Sequence, residues 1–145
     1  MSQLTIPAFL LTCTLAATPL FAQGARTPVI PEGQRATATL TPGIRVGNLI
    51  FASGQLGSAS DTTIGGQTKS ALEKTQKVFE AAGTTIANTV KCTVFLTDVK
   101  DFGGMNAAYS EFFKGIAPPA RSTVVVAALV VAGGKVEIEC FAAIP

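Results

Sequence analysis

Histidine is absent from this 145-residue chain. Its absence excludes Ser–His and Cys–His nucleophilic pairs, imidazole metal ligands and imidazole acid–base chemistry together. Cysteine is scarce: Cys13, Cys92 and Cys140 are too few for a disulfide scaffold and lack the C-x-x-C spacing of a zinc site. Charge is sparse as well. Eleven basic and nine acidic residues leave a net charge of +2, and the basic ones are scattered along the chain. Nothing in that pattern tracks a phosphate backbone, which argues against a nucleic-acid partner. Chemistry in this chain therefore has to run on carboxylates, arginine, hydroxyls and backbone amides. The length suits one domain with a real core.

The first 25 residues carry no charged side chain. An apolar stretch followed by small residues up to Ala22 predicts a secretory signal peptide over residues 1–22, against an uncleaved amphiphilic anchor or a mis-assigned start. Pro7, Pro19 and several threonines make the segment a poor transmembrane helix, so no stable membrane anchor is expected. Thr12 is a poor residue before a lipid-attached cysteine at position 13. The expected location is outside the cytoplasm, in the periplasm. Export would permit Cys92 and Cys140 to pair, but each alternates with apolar neighbours on a predicted strand, and buried free thiols are the expectation.

Residues 23–35, "QGARTPVIPEGQR", read as a flexible leader, and residues 36–145 as the folded domain. "ATATL" (36–40) has strand alternation, and "IRV" and "LIFASG" around Gly47–Asn48 predict a hairpin. Helical spacing over 66–82 puts Leu72, Thr75, Phe79 and Ala82 on one stripe, pairs Glu73 with Lys77 outside it, and ends at Gly83. "NTVKCTVFLTD" (88–98) alternates with period two, and 98–115 turns helical with Asp101 as N-cap and a Met105, Ala108, Tyr109, Phe112 stripe. Val124 to Ala132 is an unbroken apolar run, which predicts a strand covered on both faces. "KVEIECFAA" (135–143) alternates Glu137 and Glu139 against Val136, Ile138 and Cys140. The order β-β-α-β-α-β-β predicts an α+β fold with helices on one sheet face. One helical layer cannot cover two faces, and a second subunit is the simplest cover for the other.

"PPARSTVVVAAL" (118–129) sets Arg121 at the mouth of the apolar run, where its permanent charge needs an anion. Two readings stand: an ion pair with Glu137 or Glu139 on the neighbouring arm, or a clamp for a substrate carboxylate, which the guanidinium fork fits. Glu137 lies between β-branched apolar neighbours, a partly dry setting that suits a carboxylate to taking a proton from water; its bland reading is a solvated strand residue. Ser53 reads by default as a turn hydroxyl, and Asn106 as an ordinary helix-face residue. "GGQTKS" lacks the order of a phosphate-cradling loop, and "ASGQLGSAS" is not followed by a helix in the register of a dinucleotide site.

"RVGNLIFASGQLG", "ALEKTQKVFEAAG", "VKCTVFLTDVKDFGGMNAAYSEFF", "PPARSTVVVAAL" and "KVEIECFAA" together resemble, in order and spacing, the RidA (YjgF) family of imine deaminases over about residues 40–143. The resemblance implies a chorismate-mutase-like α+β fold, with a mixed sheet, two helices on one face, and a homotrimer with clefts between subunits. It implies hydrolysis of reactive 2-imino acids, of the 2-iminobutanoate and 2-iminopropanoate type, to 2-keto acids and ammonia, with no cofactor and no metal. By the same resemblance Arg121 grips the substrate carboxylate and Glu137 activates the attacking water. Ser53 and Asn106 line the cleft, and the backbone at Gly54 and Thr123 bonds the ligand. Leu40 stands where the family carries a tyrosine, with Thr39 in place of the preceding proline, which makes the pocket more apolar. The alternative is a trimer that binds carboxylates without turning them over. Most of the family is cytoplasmic, the alternative to export. An endoribonuclease activity, sometimes ascribed to the family, suits neither the weak charge nor the lack of a basic stripe.

Overall fold

The computed structural model describes residues 25–58 and 60–145, so the predicted signal peptide lies outside the described residues. Seven strands and two helices follow in the order β1 (Thr27–Val29), β2 (Gly43–Val46), β3 (Leu49–Ala52), β4 (Gln55–Leu56), α1 (Ile64–Ala81), β5 (Thr89–Leu96), α2 (Phe102–Phe112), β6 (Ala120–Val125), β7 (Val136–Ala143). They form one mixed sheet, β1-β2-β3-β7-β5-β6, with β4 also paired to β7. Only β5 and β6 run parallel, and α2 makes the crossover between them. Among the described residues no helix is long and apolar enough to cross a membrane.

The alternation read from the sequence decides which face is covered. Val136, Ile138, Cys140 and Ala142 of β7 are buried with Cys92, Val94 and Leu96 of β5 under Leu72, Val78 and Phe79 of α1, Met105 and Tyr109 of α2, and Phe113 just after it. Each such side chain removed from water contributes about 1.5–3 kcal/mol. On the opposite face Leu49 and Phe51 stay about two-fifths exposed, Val124 is exposed, and Phe51 stacks on Phe141 with centroids 5.1 Å apart. Among the described residues no helix covers that face. Val90 falls out of the alternation because the β5–β7 register shifts between Thr89 and Lys91, leaving it exposed.

Helix α1 begins with the Thr63 hydroxyl accepting from the Gly66 N–H and ends as expected at Gly83, whose φ of 81° lets the Thr84 N–H reach back to the Phe79 carbonyl. Its ion pair is Lys69–Glu73 at 3.7 Å, where the sequence suggested Glu73–Lys77. The buried amide of Gln67 donates to the Asp61 and Gly133 carbonyls and accepts from the Lys135 N–H, stapling the turn before β7 to the helix. Asp101 gives α2 no side-chain cap; its carboxylate pairs with Lys135 at 3.1 Å instead.

Four expectations are corrected. "ATATL" is not a strand, because the Thr37 hydroxyl accepts from the Thr39 and Leu40 N–H groups and closes a local turn. The stretch read as a flexible leader supplies β1, which pairs with β2. The apolar run forms a strand only to Val125: the Val126 N–H bonds the last β5 carbonyl, Leu96, and beyond it there is no neighbour to pair. Cys92 and Cys140 are bonded to each other and not free. They are direct partners across β5 and β7 on the core face, with Cα atoms 4.1 Å apart, so pairing follows from the register. The bond closes a separation of 48 residues and is expected to supply about 2–4 kcal/mol. Denaturant unfolding with and without reductant measures this; identical midpoints would show that the two thiols are not joined.

Candidate functional site

Arg121 and Glu137 stand on opposite faces of the sheet. Arg121 is the register partner of Cys92 on β5 and so points with it to the helix side. Glu137 is the partner of Phe95 and Leu56, on the uncovered side. Neither Glu137 nor Glu139 pairs with Arg121, and among the described residues no carboxylate lies within 4.0 Å of its guanidinium. The intrachain ion pair is therefore not formed.

Neutral groups hold the guanidinium instead. One nitrogen donates to Asn106 Oδ1 at 2.6 Å, another lies 3.9 Å from Met105 Sδ, and the Tyr109 ring lies beneath with its centroid 4.7 Å from Cζ. Positions 105, 106 and 109 share one side of α2, so the crossover helix delivers all three to the strand it leads into. Asn106 thus orients Arg121 as well as lining the cleft. Tyr109 and Met105, read from the sequence only as core stripe, belong to the same cradle; their spacing around Asn106 opposite a strand arginine was the available signal. An open cleft of about 740 Å³ adjoins them, lined also by Ser110, Lys114 and Pro118. Two buried hydroxyls in this region, Tyr109 Oη and Thr123 Oγ1, have no hydrogen-bond partner. Burial pushes the Tyr109 phenol from 10.0 up to about 12, against an opposing pull from the Arg121 charge.

The second group assembles where β3 gives way to β4. Ser53 Oγ donates to the Thr41 carbonyl at 2.7 Å, and its N–H bonds the Pro42 carbonyl, so the bland turn-hydroxyl reading holds within this chain. Those bonds tie the Leu40–Pro42 segment to the turn, and Leu40 itself is half exposed. Gly54 follows, packed so closely on Glu137 that a Cβ there would collide with the carboxylate. Ser53, Gly54 and Glu137 are thus one cluster and Arg121, Asn106 and Tyr109 another, while Thr123 shares the face of Arg121 two residues on.

A family model described as Endoribonuclease L-PSP matches residues 32–144. The chain is 36% identical over 118 residues to Reactive Intermediate Deaminase A, chloroplastic, of Arabidopsis thaliana, covering 75% of this chain and 62% of the relative. The YjgF gene product of E. coli superposes with a TM-score of 0.74 at 33% identity, over 81% of this chain and 98% of that one. E. coli TdcF, solved with bound serine, matches with a TM-score of 0.72 at 32% identity, over 80% of this chain and 98% of its own.

Tyr109 is the only tyrosine and the chain has no tryptophan, so phenolate absorbance reports on this ring alone. It is expected to ionise near pH 12 in the folded protein and near 10 once unfolded. The folded state then holds the proton more tightly, and the stability present below pH 10 is lost as the pH rises toward 12. A folded-state midpoint at 10 would contradict the burial of the phenol.

Proposed function

Since this chain belongs to the Endoribonuclease L-PSP family, the family of YjgF and Reactive Intermediate Deaminase A, we propose that it hydrolyses 2-imino acids to 2-keto acids and ammonia. The observation that carries the reading is Arg121, a permanent cation beside an open cleft with only neutral partners among the described residues. Such a group lacks an anion, and a 2-imino acid brings one that suits the guanidinium fork.

The two clusters need each other, and one chain holds them on opposite sheet faces. We read the assembly as a homotrimer in which one copy's Glu137 cluster meets its neighbour's Arg121. The uncovered face with Leu49, Phe51 and Phe141 supports this, since an apolar sheet face of this kind marks a subunit contact. In the joint cleft Arg121 holds the carboxylate, and Glu137 takes a proton from water as its oxygen bonds to the iminium carbon. The proton passes to the nitrogen of the resulting carbinolamine, the C–N bond breaks as the hydroxyl gives its own proton to Glu137, and ammonia, taking up that proton, leaves with the keto acid. An iminium is already electrophilic, so positioning and one base suffice. Ser53, Asn106 and the backbone at Gly54 and Thr123 would contact the ligand.

The second reading, a trimer that binds carboxylates without turnover, draws on Leu40, which offers no hydroxyl where the family has a tyrosine. A coupled assay separates them: an amino-acid oxidase generates the imine, and keto-acid release is timed with and without this protein. Hydrolysis is expected to accelerate; binding of a keto acid without acceleration would favour the second reading. Arg121→Ala is expected to abolish keto-acid binding with a melting temperature close to wild type, since no carboxylate is stranded by its loss. A large drop in stability would argue against the clamp. Glu137→Gln should keep affinity and lose rate, because an amide cannot accept the proton.

We also propose that residues 1–22 direct export. The Cys92–Cys140 bond supports an oxidising destination, because such bonds are rare in reducing cytosol. Intact mass of protein from its native host should give a mature chain beginning at Gln23; a species beginning at Met1 would overturn the proposal.

A further inference from the structure

Past Val125 the chain does not continue as a strand. Residues 126–132 carry the chain past the end of β5 from β6 to β7, held at one end by the Val126 N–H on Leu96 and at the other by the Gln67 amide on Gly133 and Lys135. This connection borders an open pocket of about 200 Å³ walled by Phe95, Val126, Ala128, Leu129, Val130 and Glu137. Glu137 is the only charged group in that wall. The nine residues from Val124 to Ala132 contain no polar side chain at all, although Val130 is 91% exposed. With the Gly54 backbone packed against it as well, the carboxylate is left with an apolar recess on its free side.

We propose that this recess takes the substrate's side chain, and that the chain's substrates are 2-imino acids with bulky, uncharged side chains: branched aliphatic, thioether or aromatic. The proposal rests on the hydrolase reading and specifies its substrate class. The recess is open to solvent at Val130 and is not an enclosed cavity; its volume of about 200 Å³ is of the size of an isobutyl, thioether or benzyl group. Each methylene moved from water onto such a wall is worth about a fourfold gain. An acidic side chain would instead meet the Glu137 charge with no cation in the wall to offset it, and a cationic one would occupy the carboxylate that must accept the water's proton.

The test compares kcat/KM for imines generated from alanine, leucine, phenylalanine and aspartate by matching oxidases. The leucine- and phenylalanine-derived imines are expected to exceed the alanine-derived one about tenfold, and the aspartate-derived imine to be poorest. Ala128→Phe, at an exposed position outside the core, should fill the recess and lower the leucine-to-alanine ratio about tenfold. Val130→Lys should raise the aspartate-to-leucine ratio. Ratios that neither substitution moves, or a wild-type preference for the small or acidic imine, would overturn the assignment. If no imine is hydrolysed above its spontaneous rate, the hydrolase reading fails, and calorimetry with 4-methyl-2-oxopentanoate and pyruvate decides the recess separately. Tighter binding of the former, lost in Ala128→Phe, supports the pocket; equal affinities reject it.

Discussion

The pleat of β7 is the constraint on which the other elements depend. It lies between β3 and β4 on one side and β5 on the other, and its alternate residues are fully committed. Val136, Ile138, Cys140 and Ala142 fill the core, while Glu137, Glu139 and Phe141 face away from the helices. A slip of one residue would exchange these sets and drive two carboxylates under α1. Burying an unpaired charge costs far more than any strand pairing returns. The register is therefore closely specified, and with it the opposition of Cys92 and Cys140 and of Glu137 and Phe95.

The same pleat divides the polar chemistry. Because β6 continues the β5 register in parallel, Arg121 shares the face of Cys92 and cannot reach a β7 glutamate through the sheet. A parallel pair also demands a crossover, and α2 is that crossover. The helix that topology requires between β5 and β6 is thus the one that supplies Asn106 and Tyr109 to the first turn of chain it connects to. Cradle and arginine are products of a single supersecondary unit, whereas the Glu137 cluster depends on β4 and the stapled turn before β7.

Both helices, β5, β7 and the β2–β3 hairpin were legible because their signals are periodic over many residues and agree with their tertiary burial. Phe79 and Leu72 are apolar at helical spacing and are buried for that reason. The misreadings have the opposite character. Residues 36–40 alternate, but a threonine hydroxyl three residues from an N–H competes with the ladder, and the local bond wins. Residues 126–132 have high strand propensity, yet propensity forms no strand where the neighbour has ended at Leu96. The pairing of Cys92 with Cys140 could be raised from the sequence but was decided the wrong way, because burial alone does not distinguish a thiol from half a cystine; the cross-strand register does. For the site, the residue types could be named from motifs, but their division between two faces required the sheet order, which no local pattern encodes.

Arg121 shows why that division matters. Guanidinium stays protonated in any folded protein, so a partly buried arginine must find compensation. In this chain it finds an amide oxygen, a thioether and a ring face, groups that fix its direction without cancelling its charge. A glutamate in the same cradle would satisfy the arginine more fully and leave nothing for a ligand. Ring and amide instead settle the geometry in advance and leave the net charge of the fork unpaired within the described residues, the state that the proposed carboxylate clamp requires. The unbonded hydroxyls of Tyr109 and Thr123 nearby follow the same logic. This corner of the fold leaves two hydroxyls unbonded and one charge uncancelled, and the pleat of β7 keeps Glu137 and Glu139, the carboxylates on the neighbouring arm, on the other side of the sheet.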